Sequence, residues 1–432
     1  MAMSDQMLER SALSKASWRL LPLIALGYGI SYMDRVNISF AALQMNRDLH
    51  FSATIYGLGA GLFFLSYALF EVPSNMLLVR FGPRLWIARI MFTWGVLAAG
   101  MMFITTPMQF YVMRFLLGFA EAGFFPGVLY YLTLWFPAAY RGRAISRFYV
   151  AIPISMVVMG AIAGALLNLQ GRLGLAGWQW LFLVEGLPAI LLSGVVLVAM
   201  PNRPREAKWL SAEEKDWIEG RLAAEAAAMG GADHNIFRAL LNPTILALAA
   251  VNFLVLGSGY AFNLSAPTLL RDSTHLSATA VGYLVSVGGL GGVVAMLFNG
   301  WHSDHSGERH LHLATPLLLI AAAFMVMAMT ATPSVIIAAY LVWMAASMGV
   351  NAVFWLIPGG IPHPRSAAVC VAAINAIGQL GSFFLPTFWG IARDQTGSYH
   401  AGLTALPVAF LMAATIILAL RRGARRLAPA VA

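Results

Sequence analysis

The sequence predicts an all-α membrane protein, with twelve transmembrane helices arranged as two six-helix bundles. Three observations predict it. The chain of 432 residues is 60% hydrophobic and only 10% charged, which is more apolar surface than a water-soluble fold can use. Twelve runs of roughly twenty residues carry few charges, and each is long enough to cross a ~30 Å hydrocarbon core as a helix. The alternating pattern of a membrane β-barrel is absent, which leaves helices as the only spanning option.

The spans fall at residues 20–43, 54–78, 85–106, 109–136, 144–168 and 178–200, then at 243–267, 278–300, 312–331, 334–358, 367–391 and 401–420. Residues 201–242 are the one long polar stretch between spans. The domains are therefore an N-terminal bundle (1–200), a linker (201–242) and a C-terminal bundle with a short tail (243–432). Within the linker, Ser211 and Glu214 form a Ser-x-x-Glu cap for a helix running to about Ala228, read as a surface helix without chemistry. The loop VRFGPR (Val79 to Arg84) after the second span and GWHSDHSGER (Gly300 to Arg309) after the eighth both place a glycine turn and an arginine at the same point. Parallel repeats with a site at their shared midplane follow from such an echo. Pro73, Pro126, Pro153, Pro188, Pro358 and Pro386 are tolerated between packed membrane helices, where they permit bends.

The net charge of +9 is placed by side of the membrane and needs no nucleic acid to explain it. Among the loops on one side, only Arg47, Arg172, Arg271 and Arg393 are basic, while the N-terminus, linker, tail and remaining loops hold the other cations outside the spans. That asymmetry puts both termini in the cytoplasm. Met1 to Trp18 lacks the pattern of a removable signal, so the first helix is its own insertion signal. The single cysteine, Cys370, cannot form an intramolecular disulfide.

Charges inside the spans carry the functional reading. Asp34 and Arg35 lie in the first span, and Arg114 and Glu121 in the fourth, where each costs at least ~2.5 kcal/mol. Arg114 and Glu121 are seven residues apart and share a helix face with Gly118, about 10 Å apart along the axis. Tyr28, Tyr32 and Arg35 line one face of the first span, while Asp34 points about 100° away. Arginine cannot discharge itself, whereas a desolvated carboxylate takes a proton. The arginines then hold an anion and the acids carry protons. The alternative is two internal ion pairs that only fix the bundle.

Tyr67 could add a hydroxyl from the second span. Glu71, beside Pro73, Ser74 and Asn75, is read as structural, and Glu185 as a packing or gating acid. The second half has no charged residue inside its spans, so its contribution is shape and hydrogen bonding from Asn351, Trp355, Asn375 and Gln379. His302, His305, His310 and His312 cluster in a loop without the framework of a metal site. No catalytic grouping or phosphate loop supports an enzyme, and neither metal nor cofactor is expected.

Several stretches resemble one family: YMDRVNISFAALQM (Tyr32 to Met45), FEVPSN (Phe70 to Asn75), WIARIMFTWG (Trp86 to Gly95), RFLLGFAEAGFFPGVLYYLTLWFP (Arg114 to Pro137), GWQWLFLVEGLPA (Gly177 to Ala189) and PREAKWLSAEEK (Pro204 to Lys215). Together they resemble the anion:cation symporters of the major facilitator superfamily, closest to bacterial tartrate, phthalate, aromatic-acid and sugar-acid transporters, over nearly the whole chain. The resemblance implies proton-driven uptake of an organic anion across a bacterial inner membrane by a monomer. It further implies proton coupling at Asp34 and Glu121, and substrate binding at Tyr32, Arg35, Tyr67, Arg114, Trp355 and Asn375. The gating loop is kept after the eighth span as Asp304, Gly307 and Arg309. After the second span the family's acid falls at Val79, which departs from the pattern. Ile152 and Pro153 stand where sugar-acid relatives offer an amide, which disfavours a heavily hydroxylated substrate. A drug/proton exporter of the same fold is the rival reading, opposed by two intramembrane arginines, and a non-transporting receptor is the other.

Overall fold

The computed structural model describes residues 5–228, 241–355, 357 and 364–427. Residues 229–240 of the linker and Pro358 lie outside the described residues. The first half holds α1 (Asp5–Asp48), α2 (Ala53–Phe81), α3 (Pro83–Gly100), α4 (Pro107–Glu121), α5 (Phe124–Thr133), α6 (Ala138–Tyr149), α7 (Ala151–Leu167) and α8 (Gly177–Ala199). The linker helix is α9 (Ala212–Ala228). The second half holds α10 (Pro243–Thr274), α11 (Ala278–Ser306), α12 (Arg309–Met329), α13 (Pro333–Phe354), α14 (Pro364–Thr396) and α15 (His400–Leu427). Among the described residues, ten helical runs are long and apolar enough to cross a membrane, with α4 continuing into α5 and α6 into α7. The twelve expected spans are these ten together with α1 and α14, which are 44 and 33 residues long.

Within the first half α3 packs on α8, α2 on α4, and α1 on α7 and α8; within the second, α10 packs on α14, α11 on α13, and α12 on α13 and α15. Three pairs join the halves: α2 with α14, α7 with α11, and α1 with α10. Small residues allow this approach: a Cβ on Gly57 would strike the Pro386 carbonyl, and one on Gly160 the Gly282 carbonyl.

Hydrogen bonds between the halves gather at the end of the molecule away from the chain termini. There the Asp394 carboxylate, late in α14, accepts the Ala53 and Thr54 N–H groups of α2 at 2.9 and 2.7 Å. Nearby, Asn168 donates to Thr279 at 3.0 Å, Arg271 to the Leu43 carbonyl at 2.5 Å, and Ser286 to the Val157 carbonyl at 2.8 Å. Towards the terminal end, the one such bond among the described residues runs from Asn375 to Glu71. The molecule is therefore clasped at one end.

Two expectations change. The residues before the first span are already helical from Asp5, because they dock on the linker helix. Lys15 reaches Glu214 at 2.7 Å and Ser11 donates to it at 2.5 Å, while Ser211 and Glu214 cap each other. Burial alone would raise the Glu214 carboxyl, but bonds from Lys15, Ser11 and the Ser211 N–H hold it below the usual range. Glu214 is 2% exposed, so the linker helix is fastened to α1 rather than lying free. The segment with Arg141, Arg143 and Arg147, expected as loop, is helix α6. Its Ala144 and Phe148 are buried at four-residue spacing, while Arg143 and Arg147 are exposed and Arg141 pairs with Glu225 at 3.7 Å.

Candidate functional site

Arg35 and Glu121 form the centre. The Arg35 Nη2 and Nε groups both meet Glu121 Oε1, at 2.6 and 2.8 Å, and Ser31 Oγ donates to the same oxygen at 2.7 Å. Both side chains are buried, at 8% and 0% exposed. Removing either partner would leave a buried charge uncompensated, a cost of about 3–5 kcal/mol. The Arg35 guanidinium also lies over Tyr67, 4.9 Å from its ring centroid.

The fourth span breaks just beyond Glu121. Ala122 leaves helical geometry and Gly123 takes φ +87°, with Pro126 following. Glycine is required there, both for the left-handed backbone and because a Cβ would strike Ser74 Oγ. Gly118 does similar work between the two charges: a Cβ on it would strike the Phe63 carbonyl and Ser66 Oγ of α2. α4 thus lies close against α2, and Arg114 is forced into the interior.

Arg114 is 1% exposed and has no carboxylate in ion-pair contact among the described residues. Its Nη2 reaches the Ala60 carbonyl at only 3.4 Å, its Nε has no acceptor, and its guanidinium lies over Phe63, 4.8 Å from the ring centroid. Of the two internal ion pairs that would merely fix the bundle, Arg35 with Glu121 is made and Arg114 with Asp34 is not.

Asp34 points away from Arg35, as its helical position requires. It accepts Asn37 Nδ2 at 3.2 Å through Oδ1, while Oδ2 has no partner. Tyr67 is 2% exposed and Tyr32 is half-buried, edge-on to Tyr28. From the second half, Asn375 Nδ2 lies 3.4 Å from both oxygens of Glu71 and not against an arginine. Trp355 follows the end of α13 and packs edge-to-face on Phe354. Asp304 pairs with Arg309 at 2.5 Å around Gly307, at φ +67°. That loop lies apart from the charged centre, at the terminal end.

Two neighbours of the charged centre were not singled out for it in the sequence. Glu71, read as structural, lies in the electrostatic surroundings of Arg35 and bridges the halves through Asn375. Tyr260 of α10 acts on both Arg35 and Tyr32 and packs on Phe64, 4.3 Å between centroids. The only signal for Tyr260 was a hydroxyl within the small-residue run Gly257, Ser258, Gly259.

Comparisons with known proteins place this architecture. The model of the Major Facilitator Superfamily matches residues 24–386. A protein of Agrobacterium vitis named "Putative tartrate transporter" is 43% identical, covering 96% of this chain and 92% of that protein. A "Quinolone resistance transporter" of Acinetobacter baumannii is 38% identical over 93% of each. The crystal structure of a bacterial homologue of the human lysosomal transporter Spinster, inward-facing and unoccupied, superposes with TM-score 0.75 at 18% identity, over 94% of this chain and 97% of that one. A matched model over most of the length, near-full-length relatives and two helical bundles around buried charges agree: this multi-pass membrane protein belongs to the Major Facilitator Superfamily and is a transporter, not an enzyme.

Proposed function

We propose that the chain is a proton-coupled symporter that imports a small organic carboxylate by alternating access. Arg114 carries the reading. A permanently charged, fully buried guanidinium without a carboxylate partner calls for an anion from outside the protein. In the proposed cycle, protons on Asp34 and Glu121 release Arg35 from its ion pair, and the substrate carboxylate docks on Arg35 and Arg114. Tyr32, Tyr67, Trp355 and Asn375 form the surrounding wall, and Asp304, Gly307 and Arg309 form the gating loop.

The arginine-rich loops support cytoplasmic termini and a place in the bacterial inner membrane. With that orientation, the clasped end faces outward. The tartrate naming of the relatives supports a small, tartrate-like carboxylate as substrate; aromatic and sugar acids fit the same cations. We assign the working unit as a monomer.

The Acinetobacter relative favours one second reading, a drug/proton exporter. Quinolones are themselves carboxylic acids, so the same arginine could serve either direction of transport. Substrate added outside separates them: a symporter takes protons in with it and alkalinises the medium, whereas an exchanger driven inward sends protons out and acidifies it.

The test is binding and uptake of L-tartrate by Arg114→Ala. Loss of a buried cation from a charged pair costs about 2 kcal/mol or more, so affinity should fall at least ~30-fold. The stabilisation that L-tartrate gives the wild-type protein against heat should vanish as well. Uptake that persists in Arg114→Ala sinks the reading.

A further inference from the structure

A second acidic site lies behind the first. Glu185 of α8 is 4% exposed, and neither of its carboxylate oxygens meets a hydrogen-bond donor. Its polar neighbours are Asp34 and Asn37 of α1, the helix against which α8 packs. Those two residues are each 1% exposed. Asp34 Oδ2 and Asn37 Oδ1 also lack donors. Five acceptor oxygens, the four without donors and Asp34 Oδ1, are therefore buried where α1 meets α8, and the Asn37 amide, bonded to Asp34 and next nearest to Glu185, is the one donor among these three side chains.

No cation relieves them. Arg35 is turned to Glu121, and Arg114 acts on Asp34 without reaching ion-pair distance. The titratable residues of α3 are Arg84 and Arg89, in its first two turns, whereas the level of Glu185 is occupied by Gly95 and Ala99 against Gly186. α7 and the turn Met101–Phe103 contain no titratable residue. Leaving such acceptors unmet costs about 1–3 kcal/mol each, and more when charged. Protons are the remaining way to satisfy them, because a protonated carboxyl becomes a donor.

We infer that Asp34, Asn37 and Glu185 form a second buried proton site, and that Glu185 takes up and releases one of the transported protons. The Glu185 O–H donates to Asn37 Oδ1 or Asp34. Transfer to Asp34 breaks one carboxylic O–H bond and forms another, leaving the Glu185 carboxylate and the net charge of the cluster unchanged. This rests on the proton-coupled reading above.

Two readouts test it. In proteoliposomes under an inward proton gradient of about one pH unit, losing one coupled proton lowers steady-state accumulation about tenfold. Glu185→Gln should therefore accumulate about tenfold less L-tartrate than wild type, relative to tartrate exchange in the same vesicles. In infrared difference spectra of the purified protein, Glu185→Gln should lose one protonated-carboxyl band. Asn37→Leu, which keeps the acid but removes its acceptor, should shift that band. Accumulation equal to wild type, or an unchanged set of carboxyl bands, overturns the inference. A wild-type protein that never accumulates L-tartrate with protons defeats the symport reading instead, and the infrared bands still decide whether Glu185 holds a proton.

Discussion

At the scale of the residue, the site depends on the unequal pairing of two arginines. Arg35 is held by Glu121 and Ser31, whereas Arg114 is held by a weak carbonyl contact and an aromatic ring. In the proposed cycle a substrate carboxylate competes with Glu121 for Arg35. Removing the charge of Glu121 should therefore free Arg35 for an incoming anion. Glu121→Gln is expected to bind L-tartrate more tightly than wild type; calorimetry measures it, and an unchanged or weaker affinity contradicts it. The first-half charges were legible in the sequence because a charge in an apolar run is conspicuous. Their pairing was not, since helical spacing gives direction but not which neighbouring helix lies there. Glu71 shows the limit: its place near the end of a span suggested structure, and only the approach of α14 puts Asn375 on it.

At the scale of the element, capping groups hold neighbouring helices in place. Asp394 caps the N-terminus of α2 from the opposite bundle, where a carboxylate satisfies free N–H groups and favours the helix dipole. Asp394→Ala should weaken this clasp by about 1 kcal/mol, shifting the population several-fold towards a state open at that end. Distance distributions between spin labels on the α1–α2 and α14–α15 connections report the shift, and unchanged distributions refute it. The linker helix is held similarly by Glu214. Since its folded carboxyl titrates below the ordinary ~4.3, its stabilising bonds are present above that value and are lost as pH falls through the lower, folded one. Glu214→Ala should remove this acid sensitivity and expose α9 to protease at neutral pH. Protection equal to wild type would count against the latch. The cap itself was readable from Ser211 and Glu214; its grip on Lys15 joins residues 199 positions apart and was not.

At the scale of the whole molecule, the two halves have different work. The first carries the buried charges on α1, α4 and α8, and the second offers Tyr260 and Asn375 as neutral groups. The helical spans could be read from composition and periodicity, because lipid leaves the backbone few options. The clasp at one end could not, because it is set by contacts such as Gly57 on Pro386 and Gly160 on Gly282, whose partners lie in opposite halves. Those contacts hold the two halves together at one end. The most direct measurement is the external pH of weakly buffered proteoliposomes on addition of L-tartrate. Alkalinisation that accompanies tartrate entry and disappears in Arg114→Ala is the expected result; acidification, or tartrate entry without proton movement, would contradict proton-driven carboxylate import.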